Sequence, residues 1–353
     1  MQSFGPIDEF LQDETVTEIM VNGISQIYIE KEGKLQLTEK RFTDDKELQH
    51  LIDAIVKPLG RCLDNETPYV DARLSDGSRV NIIIPPISLV GPMITIRKFS
   101  KKRLIGGDLL SFGSCNENML KFIELCVLSK KNIIISGGTG SGKTTLLNIV
   151  SSFISSDERI ITIEDAAELR LNQEHVGRLE SRFADINGRG AITIRQLVIN
   201  SLRMRPNRII VGECRGGEAL DMLQAMNTGH NGSLTTVHSN SPRDCLKRLE
   251  VMVLMAGFEL PIRAIREQIS SAISIIIQVS RFADGSRKIT DISEITGMEG
   301  EIITLSPIFE YKQKGIDGTT GKVLGEFSAT GTIPTFLEEL KVKDIKVGMR
   351  IFE

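Results

Sequence analysis

The chain has 353 residues, more than one typical core accommodates, so two domains are expected. Apolar residues make up 41% and charged residues 25%, ordinary values for a packed globular protein, which excludes a largely disordered chain. The net charge of −3 supplies no overall basic field and argues against direct, non-specific nucleic-acid binding, leaving only a local basic patch as a route to it.

The N-terminus, MQSFGPIDEFLQDE, lacks a basic region followed by an apolar run, so neither a signal peptide nor an anchor is expected. From Ile7 to Phe99 short strand-like runs, EIMVNG and QIYIEKEGKLQL, accompany one helical stretch, DDKELQHLIDAIVKPLG, whose apolar residues recur every three or four positions. Residues 1–99 are therefore expected to form a smaller α+β domain. A linker is expected at 100–110, where five cations cluster from Arg97 to Arg103 and the Gly106-Gly107 pair lets the backbone bend; the cations read first as a solvated linker.

Over 111–353 strand-like runs alternate with helical ones: NIIISG, KTTLLNIVSSFI, RIITIED, ITIRQLVINSLRMR, NRIIVGE, EALDMLQAMN and SLTTVHS. That alternation implies an α/β domain with a mostly parallel sheet covered on both faces. The segment RFADGSRKITDISEI reads as two strands turning at Asp284-Gly285, with further short strands after it. The runs NIIIPPISLVGPMITI and ISSAISIIIQV are broken by proline or fall short of the ~20 apolar residues a spanning helix needs. No transmembrane segment is expected, and the cytoplasm is the expected compartment. The five cysteines are odd in number and scattered, with no CxxC pair, and read as reduced, mostly packed residues.

Residues 137–144, GGTGSGKT, match GxxxxGK(S/T) between an apolar strand and a helix. Gly137, Gly138, Gly140 and Gly142 let successive N–H groups turn inward around a phosphate, with Thr139, Ser141 and Thr145 completing the loop and the helix start. Lys143 is placed to neutralise β/γ-phosphate charge and Thr144 to offer a hydroxyl to Mg²⁺, a cation that prefers oxygen. The expected ligands are ATP and Mg²⁺.

Two later strand ends carry carboxylates: Glu164 and Asp165 in RIITIEDAAEL, and Glu213 in NRIIVGECRGG. Open α/β sheets place their sites at the carboxyl ends of strands, so one acid is expected beside the metal's water and another beside the attacking water. Taken singly, each acid reads equally well as a helix cap or a surface charge. In NTGHNGSLTTVHSN, His230 precedes a strand and His238 follows it. His238 is the better candidate for sensing the γ-phosphate, and the eight-residue spacing argues against a shared metal. Arg73, Arg79, Arg97, Arg203, Arg205 and Arg215 are candidates for phosphate contact, because a guanidinium can bond two phosphate oxygens at once.

The succession GGTGSGKTT, ITIEDAAEL, LRMRPNRIIVGECRGGEA and TGHNGSLTTVHSNSP resembles the Walker A, Asp, Walker B and His boxes of the type II/type IV secretion ATPases. The flanks DARLSDGSRVNIIIPP and RKITDISEITGMEGEIITLSPIFEY resemble the CpaF branch, also called TadA, of Tad/Flp pili. The resemblance implies a homo-hexamer of subunits with an α+β N-terminal domain and a RecA-like P-loop ATPase domain, peripheral to the inner membrane and pushing a membrane platform protein. It implies Glu164 as the catalytic glutamate, Glu213 as the Walker B acid acting on Mg²⁺ through water, and His238 near the γ-phosphate. Lys143 joins them as a catalytic residue, with Arg73, Arg79 and Arg97 as N-terminal arginines that approach phosphate. A type IV secretion or conjugation export ATPase, and an ATP-binding scaffold without sustained turnover, are the alternatives.

Overall fold

Along Val16–Asn22 the buried side chains are Val16, Ile19 and Val21, and in the computed structural model that segment is the third of six strands in an antiparallel sheet. The structure describes residues 4–31, 33–59, 62–99, 103–182, 184, 188–342 and 347–353. Two compact units divide at Arg103/Leu104.

The first unit contains β1 (Val16–Asn22), β2 (Gln26–Lys31), β3 (Lys34–Leu37), β4 (Tyr69–Arg73), β5 (Arg79–Ile83) and β6 (Met93–Arg97), in the order β3-β2-β1-β6-β5-β4. A short helix, α1 (Asp8–Gln12), precedes the sheet, and α2 (Asp45–Val56) starts where the Asp44 carboxylate accepts from the Glu47 N–H. Leu48, Leu51, Ile52 and Ile55 of α2 bury one stripe against Ile19, Val21, Ile82, Ile94 and Ile96, which form the apolar face of the sheet.

The second unit opens with α3 (Gly106–Ser111) and α4 (Glu117–Leu128). The expected linker therefore ends earlier than 110: residues 100–102 lie outside the described residues, and the glycine pair starts a helix instead of a flexible bend. Gly106 is buried, and a Cβ there would meet Phe153 at 3.1 Å, so close packing selects the glycine.

There follow β7 (Ile133–Gly137), α5 (Lys143–Ser151), β8 (Ile160–Glu164), β9 (Val176–Glu180), α6 (Ile194–Ser201), β10 (Arg208–Cys214), α7 (Glu218–Asn227), β11 (Leu234–His238), α8 (Pro242–Leu254) and α9 (Ile262–Ala272). Then come β12 (Ile275–Arg281), β13 (Arg287–Glu299), β14 (Ile302–Ile316), β15 (Val323–Ala329) and α10 (Leu337–Val342).

The nine strands order as β15-β14-β13-β12-β7-β11-β10-β8-β9. The six from β12 to β9 are mutually parallel, and β13, β14 and β15 continue the sheet antiparallel. Successive residues of β7 serve opposite cores: Ile133 and Ile135 join α4 and α5, and Ile134 joins the layer of α6–α9. That is why the strand opens with three consecutive isoleucines.

The turn expected at Asp284-Gly285 is present, with Gly285 at φ +83° and the Phe282 N–H donating to the Ser286 carbonyl at 2.8 Å. The strands after it are not short. β13 and β14 run 13 and 15 residues, because they pair over most of their length while bulges absorb register shifts that break their apolar alternation. The C-terminal residues return to α4, where Phe336 and Phe352 pack on Phe122 at 6.1 and 5.8 Å between ring centroids. Four cysteines are buried, Cys62 is exposed, and all five are free thiols. Among the described residues no helix is long and apolar enough to cross a membrane.

Candidate functional site

The loop 137–144 connects β7 to α5 at the carboxyl edge of the parallel strands. A Cβ on Gly137 would lie 2.4 Å from the Val279 carbonyl, so the strand can end there only as glycine. Gly140 and Gly142 take φ values of +69° and +95°, which fold the loop over the start of α5. Inside it the Ser141 hydroxyl donates to the Gly138 carbonyl at 2.8 Å, and Lys143 Nζ donates to the same oxygen at 2.9 Å. Thr144 is half-buried in the first turn of α5; Thr139 and Thr145 are exposed.

β8, β10 and β11 end at the same edge and deliver Glu164, Glu213 and His238. Glu164 is only 3% exposed. Its Oε2 accepts from the Glu168 and Leu169 N–H groups at 2.8 and 2.9 Å, and its Oε1 has no hydrogen-bond partner among the described residues. Burial pushes its carboxyl up to about 7, against the opposing pull of those two N–H groups. Gly212 makes room for it, since a Cβ there would stand 2.9 Å from Glu164 Cγ.

His238 links the loop to Glu213: its Nδ1 is 3.3 Å from Lys143 Nζ and its Nε2 is 2.7 Å from Glu213 Oε1. An ammonium can only donate, so Nδ1 is the acceptor and a neutral ring carries its proton on Nε2, which lies close to Glu213 Oε1 without donating a hydrogen bond to it. Burial depresses the His238 pKa, reinforced by Lys143 and Arg215 and opposed by Glu213, which agrees with a neutral ring. Burial likewise depresses Lys143. The second oxygen of Glu213 accepts from Arg215 Nη2 at 2.6 Å, and Arg215 Nη1 donates to Asp165 Oδ2 at 3.3 Å.

His230 lies at the opposite end of β11, where its carbonyl accepts from the Ser233 hydroxyl. Arg203 and Arg205 precede the amino end of β10, so within one chain they occupy the edge of the sheet away from the loop. In the first unit Arg73 stands directly opposite Arg79, and Arg79 opposite Arg97, in one row across β4, β5 and β6. Arg97 Nε donates to Glu18 Oε1 at 2.7 Å. Lys98, from the cationic run, instead donates to the Phe10 and Asp13 carbonyls at 2.8 and 2.6 Å. Lys101 and Lys102 lie outside the described residues.

Several features had no readable sequence signal. A cavity of about 350 Å³ opens beside the loop, walled by Leu104, Leu109, Phe112, Leu146, Val279 and Ile289, with Arg287 at its polar side. Arg287 Nε donates to the Gly140 carbonyl at 3.0 Å. At the far edge of the sheet Arg208, 1% exposed, donates to both oxygens of Glu158 at 2.8 Å and to the Gly232 and Val127 carbonyls. A Cβ on Gly232 would fall 1.8 Å from Arg208 Nη1, so this glycine of the histidine segment serves a structural ion pair.

The donors near the loop fit a hard divalent cation: the Thr144 hydroxyl and the Glu213 carboxylate offer oxygen. No cluster of three or more His, Cys, Asp or Glu side chains suited to a metal occurs among the described residues. A Mg²⁺ here would therefore rely on the oxygens of a bound phosphate as well.

The model of the family described as "Type II/IV secretion system protein" matches residues 1–320. A putative conjugal transfer protein of Mycobacterium tuberculosis is 32% identical over 304 residues, covering 84% of this chain and 86% of that protein. The conjugal transfer protein TrbB of Rhizobium radiobacter is 33% identical over 294 residues, covering 82% and 86%. Among solved structures, the pilus retraction motor PilT aligns with a TM-score of 0.60 at 19% identity over 98% of this chain and 88% of that one. The Legionella pneumophila ATPase DotB aligns at 0.57 and 22% identity, over 81% and 78%. Both likenesses show the fold, a RecA-like P-loop unit preceded by a smaller α+β unit.

Proposed function

The chain belongs to the type II/IV secretion system protein family, and on that premise we propose that it is a Mg²⁺-dependent ATPase working as a homo-hexameric motor. The observation that carries hydrolysis, as opposed to mere binding, is Glu164. A nearly fully buried carboxylate with one unpartnered oxygen and a pKa of about 7 is poised to take a proton from water at neutral pH. An ATP-binding scaffold has no use for the destabilisation such a group brings.

In this reading Lys143 and the loop N–H groups bind the β- and γ-phosphates, and the apolar cavity beside the loop takes the nucleoside. Thr144, and Glu213 through water, would hold Mg²⁺, whose charge when bound would offset that of the phosphates. Glu164 orients and deprotonates the attacking water. His238, neutral and bonded to Lys143, moves when the phosphate that draws the lysine is lost. Arg73, Arg79 and Arg97, which share one row of the first unit's sheet, are candidate phosphate contacts on the strength of the family resemblance.

The finer role we assign is assembly of Tad/Flp-type pili through an inner-membrane platform protein, with the motor on the cytoplasmic side. It rests on the CpaF-like flanks. A second reading, export in conjugation or type IV secretion, draws on the names of the Mycobacterium and Rhizobium relatives. The test of activity is ATP hydrolysis against protein concentration. Specific activity should rise with concentration and vanish in Lys143→Ala and Glu164→Gln; tight ATP binding with no turnover at any concentration would return the chain to a scaffold. Co-purification with a pilus platform protein or with a conjugation channel separates the two machines.

A further inference from the structure

Of the two oxygens of Glu213, the carboxylate assigned to the metal's water, Oε2 is already engaged: it accepts from Arg215 at 2.6 Å. Oε1 lies 2.7 Å from His238 Nε2 but accepts no hydrogen bond among the described residues. The same guanidinium reaches Asp165 Oδ2 at 3.3 Å, and Asp165 is held from its other side by the Ser181 hydroxyl at 3.0 Å. Arg215 thus ties the end of β10 to the end of β8.

Its backbone is fixed for that task. The N–H groups of Arg215 and Gly216 both donate to Glu218 Oε1, at 2.6 and 2.9 Å. Gly217 lies so close to the end of α8 that a Cβ would stand 2.9 Å from Ala256 Cα. The turn cannot retreat, so opening the bracket falls to the Arg215 side chain, which is 58% exposed and free to swing into solvent.

We infer that Arg215 is a latch: without nucleotide it neutralises Glu213 and clamps it to Asp165, and metal-bound nucleotide must displace the guanidinium to use the carboxylate. A dication and a guanidinium compete for the same oxygen charge, so the latch sets how much Mg²⁺ the site needs. Arg215 is then a positioning residue acting through Glu213 and not a direct phosphate ligand. The inference rests on the nucleotide-binding reading above.

The test is the binding of a fluorescent N-methylanthraniloyl ATP to the full chain, titrated with Mg²⁺ and repeated in EDTA. Arg215→Gln should lower the Mg²⁺ concentration for half-maximal binding by roughly two- to fivefold, the range for a partly exposed ion pair, and leave metal-free affinity nearly unchanged. Arg215→Lys, which can pair with one carboxylate but not fork between two, should fall between. In a Glu213→Gln background the Arg215→Gln shift should vanish, because the competition has lost its object. An unchanged or raised Mg²⁺ requirement in Arg215→Gln overturns the latch, as does a loss of metal-free affinity, the signature of a direct phosphate contact. Absence of saturable binding by the wild type would overturn the nucleotide reading and the latch together.

Discussion

Glu164 is a buried acid whose cost to folding can be measured without any substrate. Its carboxyl is raised from 4.5 to about 7, chiefly by burial. A carboxyl raised in the folded state contributes most to stability while protonated, below its unfolded value, and that contribution is lost as pH climbs through the folded value. Between pH 5 and pH 8 the linkage relation converts the shift into about 2.5 kcal/mol of lost stability from this one group.

Glu164→Gln removes the ionisation and keeps the shape. Its amide oxygen can accept from the Glu168 and Leu169 N–H groups, while its NH₂ takes the place of the unpartnered Oε1. A buried NH₂ without an acceptor costs about 1–3 kcal/mol, but at every pH alike. The informative quantity is therefore the difference between variant and wild-type unfolding free energies, followed by urea denaturation at pH 5, 6, 7 and 8. That difference should move in favour of the variant by about 2.5 kcal/mol across the series. In thermal melts the same change is a relative gain of about 5–10 °C. A difference that stays flat with pH would show that Glu164 is solvated in the folded protein, and the argument for a poised base would fall with it.

The hydrolysis rate of the wild type should itself rise through about pH 7 as Glu164 ionises, an ascending limb that a pH–rate profile would show. Gly212→Ala puts a methyl 2.9 Å from Glu164 Cγ and should cut turnover by roughly tenfold while nucleotide affinity, read by calorimetry, changes little. Lys143→Ala removes the cation at the loop and should weaken ATP binding by at least about tenfold in the same assay. Arg208→Ala strips Glu158 of its bidentate partner in the protein interior and should cost about 3 kcal/mol of stability by denaturation. Because Arg208 sits at the far edge of the sheet, nucleotide affinity should be unchanged.

Most of the elements of the parallel sheet, and the phosphate loop, are legible in the residues alone. The isoleucine run of β7, the period of three and four in α2 and α5, and the glycine positions of GGTGSGKT are local properties, fixed by backbone sterics and burial of one side or both. Placing Glu164, Glu213 and His238 at the same edge followed from strand–helix alternation, since parallel strands share their direction. Only tertiary structure decided what each group touches. β9 carries no clear alternation and is a strand because β8 lies beside it; Gly106 and Gly232 look like bends and are glycines because Phe153 and Arg208 occupy the space. The charge state of Glu164 and the grip of Arg215 on Glu213 depend on desolvation and on distances between segments tens of residues apart. Sequence spacing encodes which side of a strand a residue takes, but not how much water is left around it.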